Sequence, residues 1–293
     1  MTSVRRKKDI SVVSIIVLTL LVIYMISLVL PLLWSLITSL KTRTDYMDNP
    51  FGFPKTWQFK NYAVAVDHFA SSYIRNGLKT AHIEDMLLNS LIYSVGGSFL
   101  GTFVTCIMAY AASRFKFKIG KIIYGIVIIT MILPIVGSLP SAIQITKQLG
   151  LYDTYVGMLI LQCNFLGMPF LIFYEAFKKV PNDYSEAAYV DGAGNFAILN
   201  RIMLPMVKGT FFTIMLIKFV ALWNDYNITL EYTPNIKTLA YGLYEYSHSY
   251  NIEISSTPMR LAGCNVLAIP IIIVFLIFHD KIMAGYSEGG IKE

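Results

Sequence analysis

Few side chains in this sequence are spaced for bond-making chemistry. The histidines His68, His82, His248 and His279 are scattered, so their spacing assembles no metal site. Cys106, Cys163 and Cys264 sit inside apolar runs with no C-x-x-C spacing, as small membrane-helix residues do. No paired carboxylates, H-E-x-x-H or Ser/Lys dyad falls at a useful depth, and no catalytic residue or metal ligand is expected. "GAGNFA" at 192–197 fits a dinucleotide fingerprint, but the fingerprint needs a preceding strand and an acidic residue about 20 positions on. Here a helix pattern precedes it and "MLIKF" follows. No G-x-x-x-x-G-K-[ST] occurs, so no Walker-type loop binds ATP on this chain. "NIT" at Asn227 fits a glycosylation sequon but abuts a candidate span. Two stretches remain that can bind rather than react. "WNDY", Trp223–Tyr226, offers two rings to stack and two polar groups, or an interfacial aromatic anchor. "EAAYVDGAGNFAILNRIMLP", Glu186–Pro205, is as apolar as a membrane span yet lies between two better ones.

The elements that must position these stretches follow from composition. The 293 residues are 55% hydrophobic and 14% charged, with mean hydropathy +0.58. Soluble domains carry about 25% charged residues. Charge this sparse cannot cover a soluble surface, so much of the surface faces lipid. A span needs about 20 mostly apolar residues. Six segments qualify: Ile10–Leu40, Met86–Ala111, Ile122–Ile145, Tyr155–Phe177, Gly209–Ile228 and Leu261–Phe278. Pro31, Pro134, Pro140, Pro169 and Pro270 fall within them, which membrane helices tolerate when neighbours satisfy the freed carbonyls. Gly97 and Gly101 form a small-xxx-small pair suited to close helix packing. The first apolar stretch follows Arg5, Arg6, Lys7 and Lys8, but is far longer than a signal h-region of about 7–15 residues. It reads as an uncleaved first span.

Orientation follows from where the basic residues fall. With the N-terminus inside, the inside segments hold fourteen Lys and Arg and the outside loops nine, six of them in one long loop. Lys218 lies within a span. The short inside loops are dense in charge, so both termini are expected on the cytoplasmic side. The net charge of +6 therefore belongs to the membrane face and not to a nucleic-acid groove. The expected organisation is a cytoplasmic tail 1–9, a first transmembrane helix 10–40, an outer loop 41–85 with an ordered cap or short interfacial helices, a five-helix core 86–281 containing the loop 178–208, and a cytoplasmic tail 282–293.

The Glu186–Pro205 stretch falls in that third inside segment. "PNDYSEAA" predicts a helix start with Asp183 as N-cap and Glu186 reaching back to it. "DGAGN" breaks the helix, with Gly192 and Gly194 free to take positive φ. Asn195 is positioned to cap a second short helix, and Pro205 to end it. The expectation is two short cytoplasmic helices joined by a glycine turn, with apolar faces that lipid, the chain itself or a partner must cover.

The stretch resembles the EAA loop of ABC-importer permeases, whose pattern is E-A-A, three residues, G, nine residues, I-x-L-P. Glu186, Ala187, Ala188, Gly192, Ile202, Leu204 and Pro205 all stand in register. "NSLIYS", "AYAASRFKF", "LWNDY" and "DKIMAGYSEGGIKE" are similar to the smaller-subunit kind of maltose-type carbohydrate permease. The resemblance covers roughly 86–293. The stretch "SSYIRNGLKTAHIED" and the tail "YSEGGIKE" depart from it. It implies an all-α membrane protein of the type I importer permease fold, six transmembrane helices with both termini inside, and a cytoplasmic coupling helix.

It implies a function as well: a multi-pass permease subunit in a bacterial plasma (inner) membrane, importing a carbohydrate. A second permease subunit would pair with it, two ABC ATPase subunits would bind ATP and Mg from below, and an extracellular solute-binding protein would deliver substrate. This chain would carry no cofactor and catalyse nothing. Glu186, Ala187, Ala188, Asp191, Gly192, Ile202, Leu204 and Pro205 would form the ATPase-coupling element, Glu186 by a charge-assisted pair with a basic ATPase residue. Two bland roles stand beside these: capping by Glu186 and solvation of the turn by Asp191. If "WNDY" lines the path, Trp223 and Tyr226 can stack on sugar faces while Asn224 and Asp225 bind hydroxyls. An ABC permease for another solute is the alternative. An ion-gradient transporter fits less well, because Lys218 and Asp225 are the clear ionisable residues in the spans.

Overall fold

The computed structural model describes residues 12–74, 77–115, 118–133 and 137–288. Pro134 and both termini lie outside them. The chain forms two compact units, one from the stretch through His68 with Ser249–Val266, the other from Phe69–His248 with Leu267 onward.

In the first unit, α1 (Val12–Ser39) is apolar all round and exposed over nearly its whole length. Such a helix is stable only in lipid or against partners. Its hydroxyls turn back onto its own backbone: Thr19 donates to the Ile15 carbonyl at 2.9 Å and Ser27 to that of Tyr24 at 2.7 Å. Only its C-terminal end is buried, at Thr38 and Ser39. Two short helices follow, α2 (Arg43–Asp48), capped by Thr42, and α3 (Lys60–Asp67). Asn61 Nδ2 ties them to α1 by donating to the Ser39 and Lys41 carbonyls at 2.8 and 2.9 Å. Tyr62 joins the net through Ser39 and Asn265.

The second unit opens with a feature the sequence did not announce, an antiparallel hairpin. β1 (Ser71–Ile74) pairs with β2 (Leu78–Ala81), Ser71 opposite Ala81. Then α4 (Ile83–Leu91), a π turn at Ile92–Gly96 and α5 (Gly97–Arg114) run on as one 32-residue helix. α6 is Lys118–Ile132 and α7 Leu139–Gln148, with Gly137 at φ 79° just before α7. The expected third span is thus divided between Ile132 and Leu139, with Gly137 at the break and Pro140 in the first turn of α7. The fourth is divided too. α8 (Tyr155–Ile160) gives way to irregular chain, and Gly167 at φ 133° starts α9 (Met168–Lys179) with Pro169 in its first turn. Proline at the first helical turn costs no hydrogen bond, which makes it a start signal and not a kink. Among the described residues, two unbroken helices are long and apolar enough to cross a membrane, Val12–Ser39 and Ile83–Arg114.

The core of the second unit is the α5–α9 pair. Cys106, Ala109 and Tyr110 of α5 face Phe170, Phe173 and Phe177 of α9, all buried. Tyr110 meets Phe177 edge-on at 5.4 Å. On another side of α5, Gly101 lets the chain just after α8 come close: a Cβ there would lie 2.3 Å from the Gln162 carbonyl oxygen.

Candidate functional site

The 178–208 segment is built around that core. α9 stops at Lys179 because Pro181 forces Val180 into extended backbone, φ −71° and ψ 126°. α10 (Asp183–Val190) begins after three intervening residues. Asp183 is its first residue and not its cap. Asn182 holds the cap position, and its carbonyl accepts from the Ser185 and Glu186 amides at 2.8 and 3.0 Å. Its side chain does not cap. Instead Asn182 Oδ1 accepts from Arg114 Nη1 at 2.5 Å. With the cap at Asn182, Glu186 stands at the fourth helical position and not the third that a capping box needs, and its carboxylate is exposed with no hydrogen bond or ion pair among the described residues.

Gly192 ends α10 as expected, at φ 78°. Its amide donates to the Tyr189 carbonyl at 3.0 Å, and that of Ala193 to Ala188 at 2.9 Å. These two bonds make a Schellman stop, in which only the glycine needs left-handed backbone. Gly194 accordingly stays at φ −75°. Asn195 is the first residue of α11 (Asn195–Ile198) and not its cap, with its Oδ1 accepting from the Tyr189 hydroxyl. Nor does Pro205 end the second helix. It sits inside α12 (Leu204–Met206), entered through a π turn at Leu199–Met203. Proline cannot donate to the carbonyl four residues back, and the wider turn just before it accommodates the loss. The chain then bends by 78° into α13 (Lys208–Trp223).

The faces of this helix–turn–helix divide cleanly. Ala188, Ile198, Leu199 and Met203 are buried in the α5–α9 core, with Ile202 and Leu204 packed on it. Glu186, Ala187, Asp191, Gly192 and Pro205 are exposed. Beside them stand exposed apolar groups, Tyr184, Tyr189, Val190 at 88% and Phe196 at 74%. The chain itself thus covers one apolar face, and a second apolar surface, with the exposed carboxylates of Glu186 and Asp191, stays uncovered.

The "WNDY" residues end α13 and do not act as a set. Trp223 is buried, its indole donating to the Leu267 carbonyl at 3.2 Å, so neither ring face is free. Asn224 Nδ2 donates to the Val220 carbonyl of its own helix at 2.8 Å. Asp225 Oδ2 accepts from the Tyr93 hydroxyl at 2.8 Å, and Gln162 Nε2 donates to the same hydroxyl at 2.9 Å. Tyr226 is part-exposed and stacks on Tyr244 at 4.9 Å. Lys218, the cation within α13, donates to the Gln162 carbonyl at 2.6 Å, so it satisfies an acceptor freed where α8 breaks. Polar groups from α5's preceding turn, the α8 break and α13 therefore meet in one network.

Around this end, α14 (Leu239–His248) and the loops are tied closely. Asp153, at φ 58°, accepts from the Asn235 amide and Nδ2 at 2.9 and 2.6 Å. Lys237 lies 4.1 Å over the Tyr241 ring. Burial, and then the Glu245 carboxylate, push the Tyr241 phenol up to about 12. Sequence reading missed Tyr93, Gln162 and Arg114 as site residues. The first two carry no spacing signal, and Arg114 reads only as one more inside charge.

Long apolar helices beside a packed helical core place this chain among helical membrane proteins. Residues 101–284 match the family described as binding-protein-dependent transport system inner membrane component, and the chain belongs to that family. Among its relatives is the diacetylchitobiose uptake system permease protein NgcG of Streptomyces coelicolor, 26% identical over 276 residues, covering 92% of this chain and 86% of that protein. The probable ABC transporter permease protein YurM of Bacillus subtilis is 29% identical, over 93% of this chain and 86% of its own. The trehalose transport system permease protein SugB of Mycobacterium tuberculosis is 27% identical, over 90% and 92%. A crystal structure of a bacterial ABC transporter that imports the acidic polysaccharide alginate contains a chain of the same fold, with TM-score 0.73, 21% identity and coverage of 93% and 97%.

Proposed function

We propose that this chain is a permease subunit of an ATP-driven importer that carries a carbohydrate into a bacterial cell. The observation that carries this reading is the Glu186–Pro205 segment. It is packed on one face into the α5–α9 core, while Tyr184, Val190 and Phe196 stand exposed on the same segment as the unpaired Glu186 carboxylate. An apolar patch rimmed by charge is a docking surface. An ATPase cleft with a basic residue would complement it. The relatives named as diacetylchitobiose and trehalose permeases support the carbohydrate assignment.

In this reading the chain crosses the membrane six times with both termini inside, some crossings being made by broken helices. It pairs with a second permease subunit, receives substrate from an extracellular binding protein, and rests on two ATPases that hold ATP and Mg. ATP-driven closure of the ATPases moves the docked helix as a rigid body and tilts the helices it is packed on. On the substrate path, the geometry supports Asp225 and Tyr226 as the contacting members of "WNDY". Trp223 and Asn224 then act as supports.

The test is purification of the tagged chain from native membranes with mass spectrometry of what accompanies it, run in parallel on Glu186→Lys. Recovery of a P-loop ATPase and a second permease with the parent, and loss of the ATPase from the variant, is the expected result. No ATPase with either version under mild solubilisation would overturn the importer reading and favour a gradient-driven transporter. For the path, Tyr226→Ala should reduce uptake of labelled oligosaccharides while ATPase recovery is unchanged. Undiminished uptake would remove Tyr226 from it.

A further inference from the structure

Arg114, the last residue of α5, grips the joint between α9 and the docking helix. Its Nη1 donates to Asn182 Oδ1 and its Nη2 to the Val180 carbonyl, both at 2.5 Å. Val180 closes α9 and Asn182 opens α10, so the two acceptors flank Pro181. A guanidinium is a planar fork that can hold two acceptors at once, and its charge shortens and strengthens both bonds. Among the described residues no carboxylate pairs with it. Its Nε is buried without a partner, so the side chain is committed to these two acceptors and not shared with a wider network.

The placement matters because the joint holds a proline. Pro181 has no amide hydrogen to donate, and the chain beside it is tied only locally, by the Val180 amide to the Phe177 carbonyl and by the Asn182 carbonyl to the Ser185 and Glu186 amides. A docked helix pushed by a partner could swivel there and leave the membrane helices behind. We propose that Arg114 is a positioning residue that fastens the Asp183–Val190 helix to α5. The helix then moves with the α5–α9 pair, and flexing is left to the 78° bend at Val207. The inference rests on the importer reading. It adds α5 as the element that receives the motion, through a residue outside the Glu186–Pro205 segment.

The experiment uses the complete complex purified through this chain and placed in lipid nanodiscs. Spin labels introduced by amber suppression at Phe99, on α5, and Asp191, at the end of the docking helix, report their separation by pulsed electron resonance. With Arg114 in place, the distance distribution should be narrow and unchanged between nucleotide-free and ATP–vanadate states. Arg114→Gln should broaden it about twofold and make it shift on adding ATP–vanadate. Arg114→Lys, able to reach one acceptor at a time, should fall between. Asn182→Ala, which removes one acceptor, should broaden it less, and it carries the test if Arg114→Gln does not assemble. A merely structural role would lower yield or melting temperature without making the distance depend on nucleotide. Distributions in Arg114→Gln or Asn182→Ala as narrow and nucleotide-insensitive as the parent's would overturn the clamp. Failure of the importer reading shows separately, as absence of an ATPase from the parent preparation.

Discussion

Gly101→Ala should destabilise this protein far more than an added methyl ordinarily does. A Cβ at Gly101 would lie 2.0 Å from Lys218 Nζ, 2.3 Å from the Gln162 carbonyl oxygen and 2.8 Å from Lys218 Cε. A carbon and a carbonyl oxygen in contact normally stay about 3.3–3.6 Å apart, so the Gln162 backbone must retreat by about 1 Å. That overpacking costs roughly 1–3 kcal/mol. Moving Nζ aside also breaks its 2.6 Å bond to Gln162, a charged hydrogen bond worth about 1.5–3 kcal/mol. Alanine returns about 1 kcal/mol through its better helix propensity. The net loss is on the order of 3 kcal/mol, or about 5–10 °C in melting temperature. Gly125, in α6, has open space where a methyl would go, with no atom within 4 Å, so Gly125→Ala should melt no lower than the parent. Thermal unfolding in mild detergent, followed by tryptophan fluorescence, compares the two. If the variants melt together, Gly101 is not the point of closest approach and the argument fails.

Gly192→Ala meets no atom within 4 Å, so its penalty is backbone strain alone, about 1–2 kcal/mol, confined to the turn. Hydrogen exchange over 183–195 should rise while global melting hardly moves, and unchanged exchange would refute the strain argument. Asp153→Ala removes both bonds to Asn235 and should cost about 2–3 kcal/mol, with Asp153→Asn intermediate because asparagine tolerates φ 58°. Proteolysis between Asp153 and Asn235 is the readout, and equal resistance in Asp153→Ala would count against the tie. The Tyr241 phenol ionises at about 12 in the folded chain, against 10.0 for an unperturbed tyrosine. Its stabilising contribution is complete below pH 10 and is lost as pH climbs through 12, because the unfolded chain releases that proton first. Tyr241→Phe should therefore lose less stability than the parent across that interval, and parallel pH curves would contradict it.

The Glu186–Pro205 segment was legible because its chemistry is local. Seven residues in fixed register, a glycine where the helix must stop and a proline near the following span all act within a few residues of one another. The Schellman stop at Gly192 depends on two amides of the same turn. Both caps were misread by one residue, and at the first of them a distant side chain takes part. Asn182 turns its amide oxygen to Arg114, 68 positions away, leaving Asp183 as an ordinary first-turn residue. Pro205 was misread because a π turn lets a helix pass through a proline, and sequence periodicity does not register that adjustment.

The apolar content and the placement of lysine and arginine determined by themselves that the chain is a helical membrane protein, since no fold can hide so much apolar surface from water. Tertiary structure alone decided what the polar residues within it do. "WNDY" is contiguous in sequence, yet Trp223 turns inward to Leu267, Asp225 turns to Tyr93, and Tyr226 is left beside Tyr244. Lys218 looked like an isolated charge until the break after α8 supplied a free carbonyl at Gln162. Hydrophobicity is summed along the chain and can be read from composition. A buried hydrogen bond needs a partner at about 3 Å, and only the packing of helices far apart in sequence brings that partner there.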